Sequence, residues 1–247
     1  MKLSRTSKIL QFDRLARYYN WMELLFAGGI MQRCRTQHLH QTQDCRHALL
    51  AGEGPGCFLE ALLRANPRIQ VTCIEWSAKM IEYTRRRLSR LGLDLSRVTF
   101  HQADLMKCEW DEPRFDLIAT HFFLDCLKPA EIRRVVRLLA GSSTPDAIWL
   151  LADFRIPPTG WRRWRAMGIL SLLYSFFRFS ANISAKWLTP PDKFLKAYGY
   201  ELHERRLINC GFAHSDLWRR KLTPGLKFDD SSGIESGLAS LEEASIA

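Results

Sequence analysis

The chain has 247 residues, of which 47% are hydrophobic and 25% charged. That balance suits a globular protein with a buried core and excludes a collagen-like, low-complexity or wholly disordered chain. A formal charge of +10 points to anionic partners, either nucleic acid or an acidic lipid surface, with a solvated basic surface as the plain alternative. Seven cysteines, at 34, 45, 57, 73, 108, 126 and 210, form no CxxC and no other metal-ligand spacing, so no metal is expected. Their apolar settings suit reduced core thiols and a cytoplasmic, reducing compartment. The first residues lack the apolar stretch of a secretory signal. The longest apolar run, Ala166 to Phe177, is shorter than the roughly 18 residues of a spanning helix.

In chain order, residues 9 to 27 carry helical periodicity, broken by Gly28 and Gly29, and a second helical stretch follows to about Gln41. His47 to Ala51 is a short apolar strand leading into glycines. Cys57 to Ala65 reads as a helix closed by Asn66-Pro67. Val71 to Ile74 is a strand, and Ser77 caps a helix running through Arg90 with Gly92 past its end. Val98 to His101 and Phe115 to Thr120 are strands, Pro129 to Ala140 a helix ending at Gly141, and Ala147 to Phe154 a strand. Trp161 to Ser180 is a basic, aromatic helix, and a short helix spans Pro190 to Tyr198. Tyr200 to Ile208 and Phe212 to Arg219 read as an antiparallel pair at one end of the sheet. The Ser-, Gly- and acid-rich end of the chain reads as disordered. Alternating strands and helices predict an α/β fold, a doubly wound, mostly parallel sheet with helices on both faces. Its parts are a helical cap over 1–42, a core over 43–222 with an inserted helix over 156–188, and a tail over 223–247.

The glycines locate a site. Gly52, Gly54 and Gly56 alternate just after the first strand, where bare backbone admits a close approach. In such sheets ligands bind beyond the carboxyl ends of the strands. Glu75 ends the next strand, and an ionised carboxylate accepts hydrogen bonds from ribose hydroxyls. Together they predict a nucleoside site. The turn does not complete G-x-G-x-x-G, the Lys-Ser/Thr of a P-loop is missing, and Glu53 would repel a pyrophosphate. A ribose-bearing ligand without phosphate fits better.

Here the sequence resembles the class I S-adenosylmethionine-dependent methyltransferases, over roughly residues 10 to 220. Gly52-Glu53-Gly54-Pro55-Gly56 resembles the family's glycine-rich first motif, preceded by Ala51. Cys73-Ile74-Glu75-Trp76-Ser77 resembles the end of its second strand, and Ala103-Asp104-Leu105 the motif after the third. Phe115-Asp116-Leu117-Ile118, followed by Thr120-His121-Phe122-Phe123-Leu124-Asp125, resembles its fourth strand and reaction end. The resemblance implies a seven-stranded sheet with a reversed last strand and S-adenosyl-L-methionine as cofactor. It implies that Glu75 holds the ribose, that Asp104 accepts from the adenine amino group, and that Ala51, Gly52, Glu53, Gly54, Gly56, Trp76, Leu105 and His121 line the cofactor. Leu50 stands where many members carry an acid. Phe12-Asp13-Arg14-Leu15-Ala16 and Tyr19-Asn20-Trp21-Met22 resemble the N-terminal helix of quinone-biosynthesis C-methyltransferases and bacterial phospholipid N-methyltransferases. There Tyr19 would cover the cofactor, or else pack on its own helix.

Methyl transfer from a sulfonium needs alignment and exclusion of water, and a base only when the acceptor loses a proton. His121 and Asp125 follow the fourth strand, where acceptors bind. His121 is a candidate base by its near-neutral reference pKa, or a cofactor or loop contact. Asp125 is a second candidate, or a cap for the helix near Pro129. His214 and Asp216 are weaker candidates. Between 155 and 180 lie five arginines and no acid, with Trp161 and Trp164 flanking an apolar stretch. That composition suits a membrane interface or a buried lid, and both predict a small, apolar or lipid-like acceptor. An anionic membrane surface, at the inner face, is a candidate partner. Nucleic acid is the rival, supported by Arg85-Arg86-Arg87 and Arg133-Arg134. Against it, these fall within helices, the fourth motif lacks Asn/Asp-Pro-Pro-aromatic, and no Pro-Cys pair occurs there. A non-catalytic cofactor-binding subunit is a third reading.

Overall fold

The computed structural model describes residues 29–108, 110, 113–181 and 188–221. The helix expected over 9–27, Tyr19, the end of the inserted segment and the tail over 223–247 lie outside the described residues.

The first described helix, α1 (Gly29–Thr36), leads into β1 (His47–Ala51). There follow α2 (Cys57–Ala65), β2 (Gln70–Glu75), α3 (Ala78–Arg90), β3 (Val98–Gln102), β4 (Phe115–His121) and α4 (Pro129–Gly141). The chain continues through β5 (Ser143–Phe154), α5 (Gly160–Ala181), α6 (Asp192–Ala197), β6 (Tyr200–Ile208) and β7 (Ala213–Arg220). The strands form one seven-stranded sheet in the order β3-β2-β1-β4-β5-β7-β6. Strands β1 to β5 pair in parallel, whereas β7 runs antiparallel to both β5 and β6. The fold class expected from sequence is therefore the observed one, reversed last strand included.

Local chemistry sets most boundaries. Ser77 accepts a hydrogen bond from the Met80 N–H and starts α3, as an N-cap serine does. Past its end, Gly92 takes φ +69°, the left-handed conformation that closes a helix. Both β1 and β4 are apolar without alternation because helices cover both faces of the sheet. Leu49, Ile118, Trp149 and Leu151 meet Val135, Val136 and Leu139 of α4. Ala48, Leu50, Leu117, Ala119 and Leu150 pack on Phe58, Leu59 and Leu62 of α2.

Two boundaries differ from expectation. Strand β5 begins at Ser143, four residues early, because Phe115 pairs with Ser143 before the register slips at a bulge and Leu117 pairs with Ile148. Asp125 does not cap α4. It sits in a short 3₁₀ turn, Leu124–Cys126, and the Glu131 carboxylate receives the Lys128 N–H at the start of α4 instead.

Candidate active site

Topology places the site. The ends of β1, β2 and β4, with the turn after β3, lie side by side along the carboxyl edge of the parallel strands. Gly52, Gly54 and Gly56 all adopt positive φ, at +66°, +59° and +79°, a region L-residues with side chains rarely enter. Two are also closely approached, and by the protein's own side chains. A Cβ at Gly52 would meet Phe123 Cδ2 at 2.5 Å, and one at Gly56 would meet Thr84 Cγ2 at 2.5 Å. Thr84 also donates to the Gly54 carbonyl at 2.8 Å. The turn is thus bolted to α3 on one side and to the segment after β4 on the other.

Three carboxylates border this edge, each held by backbone. Glu75 accepts from the Ser77 N–H at 3.0 Å, with the Gly54 and Trp76 N–H groups also favouring its charge, yet burial outweighs them and raises its pKa. Asp104 accepts from the Met106 N–H at 3.1 Å and starts the 3₁₀ turn Leu105–Lys107, burying Leu105. Glu53 points away from the open side of the turn. One of its oxygens receives the Phe58 and Leu59 N–H groups at 2.9 and 2.8 Å, capping α2. Burial pushes the Glu53 carboxyl up to about 7, against those N–H groups and the Arg35 guanidinium. Its carboxylate therefore does not replace the acid missing at Leu50, which is itself buried in the core.

The segment after β4 continues this edge. The His121 ring stands edge-on to Phe58, with centroids 4.4 Å apart. Its Nδ1 is buried without a hydrogen-bond partner among the described residues. Burial first, then Arg35 and His38, push His121 down to about 3, so the imidazole is neutral at pH 7. The near-neutral value expected from its type is lost because it sits in an apolar wall beside a guanidinium. Phe122 takes φ +53°, and the Arg35 guanidinium lies 5.4 Å from the centre of its ring. Arg35, from α1, carried no signal in the sequence; nor did the packing roles of Thr84 and Phe123.

On the opposite face of the sheet from His121, a second group of polar side chains is buried. Asp153 of β5 stands across from His214 of β7. His214 Nδ1 meets Asp216 Oδ1 at 2.9 Å, and Asp216 takes two bonds from Arg205, at 2.8 and 2.6 Å. Burial opposes the charge on Asp216, but Arg205 and His214 outweigh it and hold its pKa low. Asp125, in the turn above, is buried as well, and its charge acts on Asp153.

Among the basic groups, α3 spends its arginines internally. Arg86 pairs with Glu82, Arg87 with Glu60, and Arg85 lies over the Phe100 ring. At the start of α5 the reverse holds: Trp161 is 63% and Trp164 73% exposed, with Arg162, Arg163 and Arg165 beside them. Ala166 and Leu170 of the same helix are buried against Ala152 and Phe154. No helix among the described residues is long and apolar enough to cross a membrane.

The left-handed glycine turn, an acid ending β2, an acid after β3 and the reversed seventh strand define an α/β cofactor-binding domain. Residues 48–146 match the family model described as a methyltransferase domain. No curated protein matches the chain by sequence.

Solved structures share the fold at low identity. A 1,6-didemethyltoxoflavin-N1-methyltransferase from Burkholderia thailandensis, solved with S-adenosylhomocysteine, is 16% identical with a TM-score of 0.62, covering 90% of this chain and 93% of that one. An O-methyltransferase family protein from the same organism is 16% identical with a TM-score of 0.67, covering 90% and 64%. A mitomycin 7-O-methyltransferase is 16% identical with a TM-score of 0.63, covering 86% and 60%. The chain thus spans under two thirds of the length of the latter two.

Proposed function

We propose that this protein transfers a methyl group from S-adenosylmethionine to a small, apolar or lipid-like acceptor by in-line displacement. The observation that carries this reading is the alignment, along one sheet edge, of the left-handed glycine turn with Glu75 and Asp104. Both carboxylates keep acceptor capacity beyond their backbone bonds, which suits the hydroxyls and amino group of an adenosine. In this reading Ala51, Gly52, Gly54, Gly56, Trp76 and Leu105 form the wall around it, and His121 touches the cofactor as a neutral imidazole. Glu53 acts indirectly, by fixing the start of α2. When bound, the cofactor supplies a methyl group already activated on a sulfonium. The protein's work is to orient the acceptor and keep water out. Where the acceptor loses a proton, Asp125 takes it; His121, held so far below neutrality, is too weak a base. The named small-molecule substrates of the similar structures agree with an acceptor of modest size.

The acceptor's apolar character, and contact with an anionic membrane, are supported by α5. Its buried side joins the core, while two tryptophans and three arginines at its start face outward. Arginine near anionic headgroups contributes about 1 kcal/mol each, and tryptophan settles at the interface. The internal pairing of the α3 arginines weighs against nucleic acid.

Isothermal titration tests the cofactor: S-adenosylmethionine binds and NAD does not, and the opposite result ends the proposal. Sedimentation with anionic and neutral liposomes tests the surface. Wild type pellets with anionic vesicles in a salt-sensitive way, and a protein with Arg162, Arg163 and Arg165 changed to Gln pellets less. If wild type stays in solution with every mixture, α5 is an internal lid only.

A further inference from the structure

Two carboxyls, Asp125 and Asp153, are buried at the ends of β4 and β5, 4% and 1% exposed. Neither oxygen of Asp153 has a hydrogen-bond partner among the described residues. A buried carboxylate that could be replaced by an apolar residue of similar size normally destabilises the fold. Among the described residues, the guanidinium on the neighbouring Asp216 is already committed, since Arg205 holds both Asp216 and, at 2.9 Å, Asp192. Two other polar pairs on this face are matched: Trp149 Nε1 donates to Thr120 Oγ1 at 2.9 Å, and the Tyr200 hydroxyl to Ser143 Oγ at 2.7 Å. At the ends of β4 and β5, where His121 pairs with Ala152, the next residue, Asp153, has no such partner among the described residues. Asp125 lies two residues beyond Phe123, whose ring packs on Gly52.

We infer that Asp153 is a positioning residue for methyl transfer: it and Asp125 share one proton beneath the reaction end, which keeps Asp125 ready to take the proton of a hydroxyl or N–H acceptor. The inference rests on the reading of Asp125 given above and narrows the acceptor to a group that carries a proton when it binds. In the step, the acceptor heteroatom forms its bond to the methyl carbon. The carbon–sulfur bond breaks with its electron pair going to sulfur, and the acceptor's proton passes to Asp125. Two neighbouring carboxyls in a dry setting cannot both ionise cheaply, so a proton on one favours the charge on the other. The direction agrees: burial, then the partner's charge, raises Asp153 well above the ordinary range, and burial raises Asp125.

The groups facing the pair are few. The Cys126 thiol donates to Asp125 at 3.5 Å. His214 of β7 lowers Asp125, and Asp216 of the same strand raises Asp153. The Phe123 and Asp125 N–H groups pull Asp153 down without making a hydrogen bond of good geometry. From β6 and α6 come Arg205 and Asp192, both engaged with each other.

The test uses the full chain labelled with carboxyl-¹³C aspartate. Two resonances should titrate together above the ordinary carboxylate range, and Asp153→Asn should move the Asp125 resonance down by about one pH unit or more. The same variant is then assayed for methyl transfer from labelled S-adenosylmethionine to a lipid extract across pH. Its acidic limb should move down with the resonance. A limb that stays in place while the resonance moves makes the pair structural and overturns the role of Asp153, as does an unmoved resonance. If wild type labels nothing in the extract, the acceptor reading falls and takes this role with it, an outcome distinct from active wild type with an unmoved limb.

Discussion

The two halves of the carboxyl edge hold their acids by different means. Around β1 to β3, Glu53, Glu75 and Asp104 each bind backbone N–H groups within six residues of themselves. Around β5 and β7, acids meet side chains delivered by other strands: Asp216 meets Arg205 and His214, and Asp153 faces Asp125. Backbone donors arrive with the turn itself, so the glycine-turn half forms with its acids already hydrogen-bonded. The β5–β7 half depends on strand order and register, and it leaves Asp153 without a hydrogen-bond partner among the described residues. A cofactor common to many reactions suits a fixed cradle, whereas an acceptor and its proton call for groups whose charge can change.

The largest effect expected from breaking this contrast is at Arg205. Arg205→Met leaves Asp216 buried and unpaired, which costs about 3–5 kcal/mol; urea unfolding at pH 7 measures it. Because folding lowers the Asp216 pKa, its stabilisation is present at neutral pH. It is lost as the pH falls through the ordinary carboxylate range and below. The variant should therefore lose the difference from wild type in acid.

Next comes Gly52. Gly52→Ala puts a Cβ at φ +66° and 2.5 Å from the Phe123 ring. The expected destabilisation is about 2–4 kcal/mol, backbone strain and overpacking combined. In a double-mutant cycle with Phe123→Ala, the packing part should disappear and the strain remain. Full additivity would mean that Phe123 does not contact the turn.

For the cradle itself, Glu75→Gln keeps an acceptor for the Ser77 N–H but removes the charge. We expect S-adenosylmethionine affinity to fall by about 1–3 kcal/mol with little change in unfolding. Equal affinity would separate Glu75 from the ribose. The smallest effect is at Gly92, where φ is +69° and nothing lies within 4 Å of the missing Cβ. Gly92→Ala should cost about 1–2 kcal/mol, from strain alone.

How much could be read beforehand follows the same division. The α2, α3 and α4 helices and strands β1 to β4 lie close to their expected positions, because apolar spacing, Ser77, Asn66-Pro67 and Gly92 act within a few residues. The glycine turn was legible for the same reason, since its left-handed residues have to be glycine whatever surrounds them. Sequence alone thus determined the order of strands and helices, the place of the turn, and the presence of acids after β2 and β3.

Tertiary structure decided what those residues face. It turned Glu53 inward to cap α2, because that helix starts just where the side chain can reach its free N–H groups. It placed His121 against Phe58 and Arg35, and so removed the basicity that its residue type suggests. It put Asp153 opposite His214 through the antiparallel β5–β7 register, a pairing across some sixty residues that no local pattern encodes. The physical reason is range: capping and turn conformation are settled by neighbours along the chain, whereas desolvation and charge are settled by whatever the fold brings near.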